Sequence, residues 1–373
     1  MKKKNILIID DSALMRRVIS DIIESDQRFN VIGAAINGLE GLNMLQENVD
    51  KVDAVLLDIN MPRMNGLELL ERIKNLNIKI TVIVVSSVTT ENAQETICAL
   101  ELGAFDLITK PETMDELKSN SFAEKLLDCL TLATKLKHKE QQMVISTEPP
   151  KIKTTSVIKE VYEEAVQAIK TEYNVPNRLT RDKLVAIACS TGGPKALHSV
   201  IPYLPKNIDA GIIVVQHMPE GFTKSLADRL DSLSQVRVKE AEDGDVINKG
   251  WVYIAKGGNQ LRVTKDKSGN HVLQVSKEAP RNGLLPCADV TYESLINTDY
   301  DEITCVVLTG MGSDGSAGIT ELSKNKRIHV IAQDMKSSIV YGMPRVIKMT
   351  GLVNKVVSLH EVSDAIIKNV GVR

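Results

Sequence analysis

Aromatic residues make up only 3% of this 373-residue chain, with a single tryptophan. That scarcity argues against a surface that stacks bases. The net charge of −2 supplies no electrostatic footprint for nucleic acid either. Long hydrophobic runs are also missing. None approaches the ~18 residues that a membrane span needs. The first apolar run, NILII, ends at once in Asp10 and Asp11, so it reads as a strand rather than a leader. Cysteine is sparse and scattered, at Cys98, Cys129, Cys189, Cys287 and Cys305, with no C-x-x-C pair. Neither a disulfide framework nor a zinc site is indicated, and a reducing cytoplasm fits.

What is present is alternation. Short apolar runs (NILII, VIGAA, DAVLL, ITVIVV, AFDLIT) are separated by helical-period stretches such as SALMRRVISDIIES and LELLERIKNL. Five such units predict a parallel sheet with helices on both faces over residues 1–137, closed by a helix over roughly 113–137. Residues 138–181 are polar, with adjacent prolines at 149 and 150, and read as a linker. Within it, 156–173 has the spacing of an amphipathic helix, expected to pack on a neighbouring domain. From 182 to 373 the alternation resumes with LVAIAC, GIIVVQ, ITCVVLT and RIHVIAQ. A β-rich insertion with turn glycines surrounds GWVYIAKGGNQLRV. The fold class is therefore α/β, with two doubly wound parallel-sheet domains.

In the first unit Asp10 and Asp11 close one strand, Asp58 another, Ser86 a third and Lys110 a fourth. Residues just past the carboxyl ends of such strands converge on one crevice. Three carboxylates there repel one another and call for a cation. Oxygen-only ligands with retained waters suit Mg²⁺. A lysine can neutralise an incoming phosphoryl group, and a hydroxyl can bond its oxygen. The layout suits an aspartate that accepts a phosphoryl group. Singly, each acid could be no more than a helix cap. Together, IIDDSALMRR, LLDINMPRMNG, VVSS and ITKP resemble the receiver domain of two-component response regulators. The resemblance implies a flavodoxin-like fold and phosphorylation at Asp58. It implies Mg²⁺ held by Asp10, Asp11, Asp58 and the Asn60 carbonyl, with Ser86 and Lys110 as switch residues. Leu107 departs from the aromatic that receivers often carry three residues before the lysine.

The second unit places Ser190, His217 and Asp314 at three strand ends. Hydroxyl, imidazole and carboxylate are the set for acyl transfer, in any chain order. Each has a plainer reading: Ser190 or Asp314 as a helix cap, His217 as a packed core residue. A rival reading takes Gly310–Gly315 as a G-x-G-x-x-G dinucleotide turn with Asp334 beyond it. That turn lies late in its domain, and its own Asp314 would face a pyrophosphate. STGGP, QHMPEGFTKSLADRL, LTGMGSDGSAG and VYGMPR together resemble the catalytic domain of the chemotaxis protein-glutamate methylesterases (CheB), with a Rossmann-like fold. The resemblance implies Ser190 as nucleophile, His217 as base and acid, and Asp314 as its orienter. The N–H groups of Thr191 and Met311 would form the oxyanion hole. Glycines 192, 193, 310 and 312 would let the main chain approach substrate closely. Departures are Cys189 before the serine, Lys256 and Gln260 in AKGGNQ, and LLPC at 284–287. The last two segments are expected to line the substrate groove.

The expected activity is phosphorylation-regulated hydrolysis of receptor glutamate γ-methyl esters, with glutamine deamidation by the same route. The esterase itself needs no cofactor. A chemotaxis histidine kinase as phosphodonor and chemoreceptor cytoplasmic domains as substrate are the expected partners. Nucleic acid and membrane insertion are not expected, and the protein is expected to be a cytoplasmic monomer. A non-catalytic adaptor and a nucleotide-binding output remain as alternatives.

Overall fold

The structure is a computed structural model that describes residues 3–111, 113, 120–143 and 182–373. The candidate helix at 156–173 lies outside the described residues. The first sheet comprises β1 (Lys4–Ile9), β2 (Phe29–Ala35), β3 (Ala54–Leu57), β4 (Thr81–Ser86) and β5 (Asp106–Thr109). All its strands are parallel, in the order β2-β1-β3-β4-β5. Helices α1 (Ala13–Ser25), α2 (Gly38–Glu47), α3 (Gly66–Asn75) and α4 (Thr90–Leu102) follow successive strands. On α1, Met15, Ile19 and Ile23 recur every four residues and form the buried stripe. Ser12 starts α1 by accepting the Met15 N–H at 3.3 Å. Asn65 and Glu68 form a reciprocal capping box at the start of α3. α5 (Asn120–Met143) closes the unit and runs past residue 137, where the composition places a boundary.

The second unit contains β6 (Lys183–Cys189), α6 (Gly193–His198), β7 (Ala210–Gln216), α7 (Phe222–Leu233), β8 (Arg237–Glu240) and β9 (Trp251–Ile254). It continues with β10 (Gln260–Lys265), β11 (His271–Ser276), α8 (Ala288–Ser294), β12 (Glu302–Val307), α9 (Ser316–Asn325) and β13 (Ile328–Gln333). α10 (Met343–Met349), β14 (Val353–Val357) and α11 (Val362–Val370) complete it. Seven parallel strands run β14-β13-β12-β6-β7-β9-β8. β10 and β11 form a separate antiparallel hairpin, while WVYI of the stretch read as an insertion is β9 of the main sheet. β7 and β12 are buried at every position, as runs like GIIVVQ require when helices cover both faces.

Strand order fixes where the sites lie. The first sheet reverses its winding between β1 and β3, the second between β6 and β12. Crevices open at the carboxyl ends of strands at such reversals. Asp10 and Asp58 follow β1 and β3, and Ser190 and Asp314 follow β6 and β12.

The two units also touch. Arg229 on α7 donates through Nε and Nη2 to the Glu101 carboxylate on α4, at 2.8 and 3.0 Å. His198 Nε2 lies 3.2 Å from the same carboxylate. Thr191 Oγ1 donates to Asp106 Oδ2, on β5, at 2.6 Å. Val340 packs into the apolar cluster that holds Phe105 and Ile108. Among the described residues, no helix is long and apolar enough to cross a membrane.

Candidate active site and phosphoacceptor rim

The first rim gathers its charges as the sequence predicts. Lys110 Nζ lies 2.8 Å from Asp10 Oδ2 and 2.7 Å from Asp58 Oδ2. Ligand oxygens of Asp10, Asp11 and Asp58 all lie within 4.8 Å of one another. Burial pushes the Asp58 carboxyl up; the Lys110 charge pulls against that, and Asp10 adds to the rise. Asp10 Oδ2 is buried and, despite the nearby ammonium, has no well-aligned hydrogen bond. This hard, all-oxygen set, short of donors, is consistent with an Mg²⁺ site. The Asn60 side chain turns to Asn92 Oδ1. Ser86 Oγ is buried 3.0 Å from Thr96 Oγ1 of α4, a partner that sequence reasoning missed.

The second rim is built from main-chain ties. Ser190 N–H donates to Thr309 O at 3.0 Å, and His217 N–H to Cys189 O at 3.1 Å. Gln216, buried beneath both, donates through Nε2 to Ser190 O at 3.1 Å and His217 O at 3.0 Å. His217 Nε2 meets Asp314 Oδ2 at 2.7 Å. That leaves Nδ1 as the ring nitrogen available to Ser190. No hydrogen bond joins Ser190 Oγ to the ring, so the first link of a triad is open here. Such links are often loose before substrate binds.

Asp314 is buried but amply solvated by the protein. Besides His217, it accepts the Ala288 N–H at 2.6 Å, the Asp289 N–H at 3.0 Å and Cys287 Sγ at 3.1 Å. Burial alone would raise its carboxyl; the His217 interaction and the two N–H groups outweigh that and hold it far below the usual range. Hydrogen bonds to a charged group contribute about 1.5–3 kcal/mol each, so several can offset the cost of burial. Asp314 thus caps α8 from a distance rather than the helix after it, which starts behind Gly315. The Ser190 hydroxyl caps nothing, since Gly192 stands at the start of α6. The N–H groups of Thr191 and Met311 have no hydrogen-bond partner among the described residues. Asp334 is occupied by Ser337, whose N–H and Oγ lie at 2.9 and 2.6 Å.

Residues 185–366 match the family model described as CheB methylesterase, and residues 6–121 match that of the response regulator receiver domain. A protein-glutamate methylesterase/protein-glutamine glutaminase of Syntrophomonas wolfei is 40% identical over 370 residues, covering 98% of this chain and 99% of the relative. The chain belongs to the CheB family. A relative of the same description from Bacillus subtilis is 39% identical, with 97% of each chain covered. The crystal structure of the Thermotoga maritima CheB methylesterase catalytic domain is 40% identical, with a TM-score of 0.49. It covers 51% of this chain, which spans 99% of that domain.

Against the CheB pattern, the structure revises two expectations. Gln260 and Cys287 do not line a groove; they are 1% and 0% exposed. Gln260 Oε1 accepts the Cys287 N–H at 2.9 Å, and its Nε2 donates to Leu284 O at 3.3 Å. Two departures that are distant in sequence are therefore one contact behind Asp314. Three of the four glycines, 192, 193 and 310, are instead held by tight packing, whereas Gly312 faces open space. A Cβ on Gly310 would sit 2.8 Å from Ser190 Cβ, and one on Gly193 1.8 Å from Gln216 Oε1. Cys189 is a fully buried core residue of β6, its thiol pushed up by burial.

Proposed function

We propose that this CheB-family chain hydrolyses glutamate γ-methyl esters on chemoreceptors, and deamidates receptor glutamines, when Asp58 is phosphorylated. The observation that carries the reading is the 2.7 Å His217–Asp314 contact on the rim where Ser190 stands. Ser190 Oγ attacks the ester carbonyl while its proton passes to His217 Nδ1. Asp314 holds the ring and steadies its positive charge. The Thr191 and Met311 N–H groups receive the oxyanion. His217 returns the proton to the departing methanol, or to ammonia from an amide. Water, deprotonated by the same nitrogen, then releases glutamate. No metal is needed on this rim.

Residues 1–137 act as the receiver, 138–181 as the linker and 182–373 as the catalytic domain. A chemotaxis histidine kinase supplies the phosphoryl group, and the protein works as a cytoplasmic monomer. Asp58 is the acceptor, and Ser86 and Lys110 respond to the new charge. Asp10, Asp11, Asp58 and the Asn60 carbonyl hold Mg²⁺, which neutralises carboxylate and phosphoryl charge when bound. The reading of control rests on α4, which carries both Thr96, beside Ser86, and Glu101, bound to Arg229. Drawing Ser86 toward a phosphoryl oxygen removes its contact with Thr96. A shift of α4 then favours release of the catalytic domain, because only a difference in stability between the two states can move the population.

The test is methanol release from methylated receptor by wild type and Ser190→Ala, each with and without a small acyl-phosphate donor. Loss of turnover in the variant, and stimulation of the wild type alone, are expected. Undiminished turnover by Ser190→Ala would overturn the nucleophile assignment. A serine-directed phosphonate should label Ser190, and no labelling would favour an adaptor.

A further inference from the structure

We propose that Cys287 is a positioning residue of the esterase, a buried thiol donor, set in place by Gln260, that fixes the Asp314 carboxylate behind His217. The proposal rests on the reading of Ser190, His217 and Asp314 as the catalytic set.

The two carboxylate oxygens divide their partners evenly. Oδ2 takes His217 and the Ala288 N–H; Oδ1 takes the Asp289 N–H and Cys287 Sγ. Without the thiol, Oδ1 would keep one donor, and the carboxylate could rotate about its bond to the chain. A thiol serves here only if it keeps its proton. Burial pushes Cys287 up to about 12, and the Asp314 charge adds to that rise, so the S–H remains a donor at neutral pH. Gln260 holds both ends of the 284–287 turn, through the Cys287 N–H and Leu284 O. It thereby sets where the sulfur sits.

Other roles fit less well. A thiol that is 0% exposed and kept protonated is no nucleophile. A metal held by Cys287, Asp289 and Asp314 would have to displace donors already in place. These include the Gly318 N–H, 2.6 Å from Asp289 Oδ1. A positioning role uses every contact as it stands.

Removing the thiol leaves Asp314 more basic, and a more basic carboxylate binds the imidazolium more tightly. The acid limb of the pH–rate profile therefore moves to higher pH. The other ionisable groups around the carboxylate are Asp289, Tyr292, and Arg281 paired with Glu293. All of them stay in place in a Cys287 variant.

The experiment uses the full chain, activated by a small acyl-phosphate donor, with methylated receptor as substrate. In Cys287→Ala, kcat should fall about tenfold, the size of one hydrogen bond to a charged group, with KM little changed. The acid limb should move up in pH. Cys287→Ser, whose hydroxyl also donates, should recover most of the rate and return the limb. Wild-type rates and limb in Cys287→Ala overturn the proposal. So do equal losses in the Ala and Ser variants with an unmoved limb, which mean a cavity and nothing more. If Cys287→Ala does not fold, infrared difference spectra still decide. The S–H band that disappears in Cys287→Ser should shift in Asp314→Asn, and a band that stays put overturns the assignment. That band does not depend on Ser190. Failure of the triad reading would appear separately, as turnover retained by Ser190→Ala.

Discussion

Asp58 and Asp314 hold equivalent places on two sheets of the same design. Each follows a strand that borders the reversal in winding, and each is almost fully buried. Their chemistry runs in opposite directions. Asp58 has the Ile59 N–H at 2.8 Å and shares one ammonium with Asp10; burial wins, and its carboxyl is pushed up. Asp314 has two N–H groups, a thiol and an imidazole, and its carboxyl is held down despite burial. The supply of donors, more than depth, decides the state of a buried carboxylate. The undersupplied rim is short of donors in the way that suits a cation. The well-supplied rim holds its carboxylate charged with donors of its own chain.

The largest test of that contrast is Asp314→Asn. An amide cannot steady the imidazolium, so turnover should drop about 10⁴-fold, as judged by methanol release. Next is removal of Mg²⁺ by a chelator. Transfer from an acyl phosphate to Asp58 should vanish, measured by mass, while the basal esterase rate of unphosphorylated protein stays the same. A chelator that also stopped the basal rate would erase the difference between the rims. A smaller effect is expected at Asp106, whose enclosed carboxyl is pushed up by burial, with the Thr191 hydroxyl opposing. A raised carboxyl favours the docked form at low pH, and that contribution is lost as pH rises through its folded value. Hydrogen-exchange protection on α4 and α7, relative to the intrinsic rate at each pH, should therefore fall as pH rises in the wild type, and less so in Asp106→Asn. Smallest is Glu101→Ala. A half-exposed ion pair contributes about 0.2–1 kcal/mol, so the basal rate should rise about 1.4- to 5-fold.

Much of this was legible in the sequence, because strand ends are local signals and the reversals bring them together. NILII followed by two aspartates, or LVAIAC followed by STGGP, marks both the strand and the residue at its rim. What stayed hidden was whatever depends on contacts between distant segments. Gln260 and LLPC looked like two independent departures facing substrate. Only the fold shows that they meet each other behind Asp314. Thr96 is an unremarked helix residue until α4 brings it against Ser86. Gln216 was visible in the motif, but its two bonds to the main chain were not. Cys189 looked anomalous beside a serine. On a buried strand it occupies a core position, since alternate side chains point to opposite faces.

Thr191 serves two masters. Its N–H has no partner among the described residues, while its hydroxyl is held by Asp106 of the first unit. A lid only bars large visitors, and a small ester would slip beneath it. Restraint applied to the residue beside Ser190 makes no such distinction. Control of this kind should throttle a free methyl ester and a whole receptor in equal proportion.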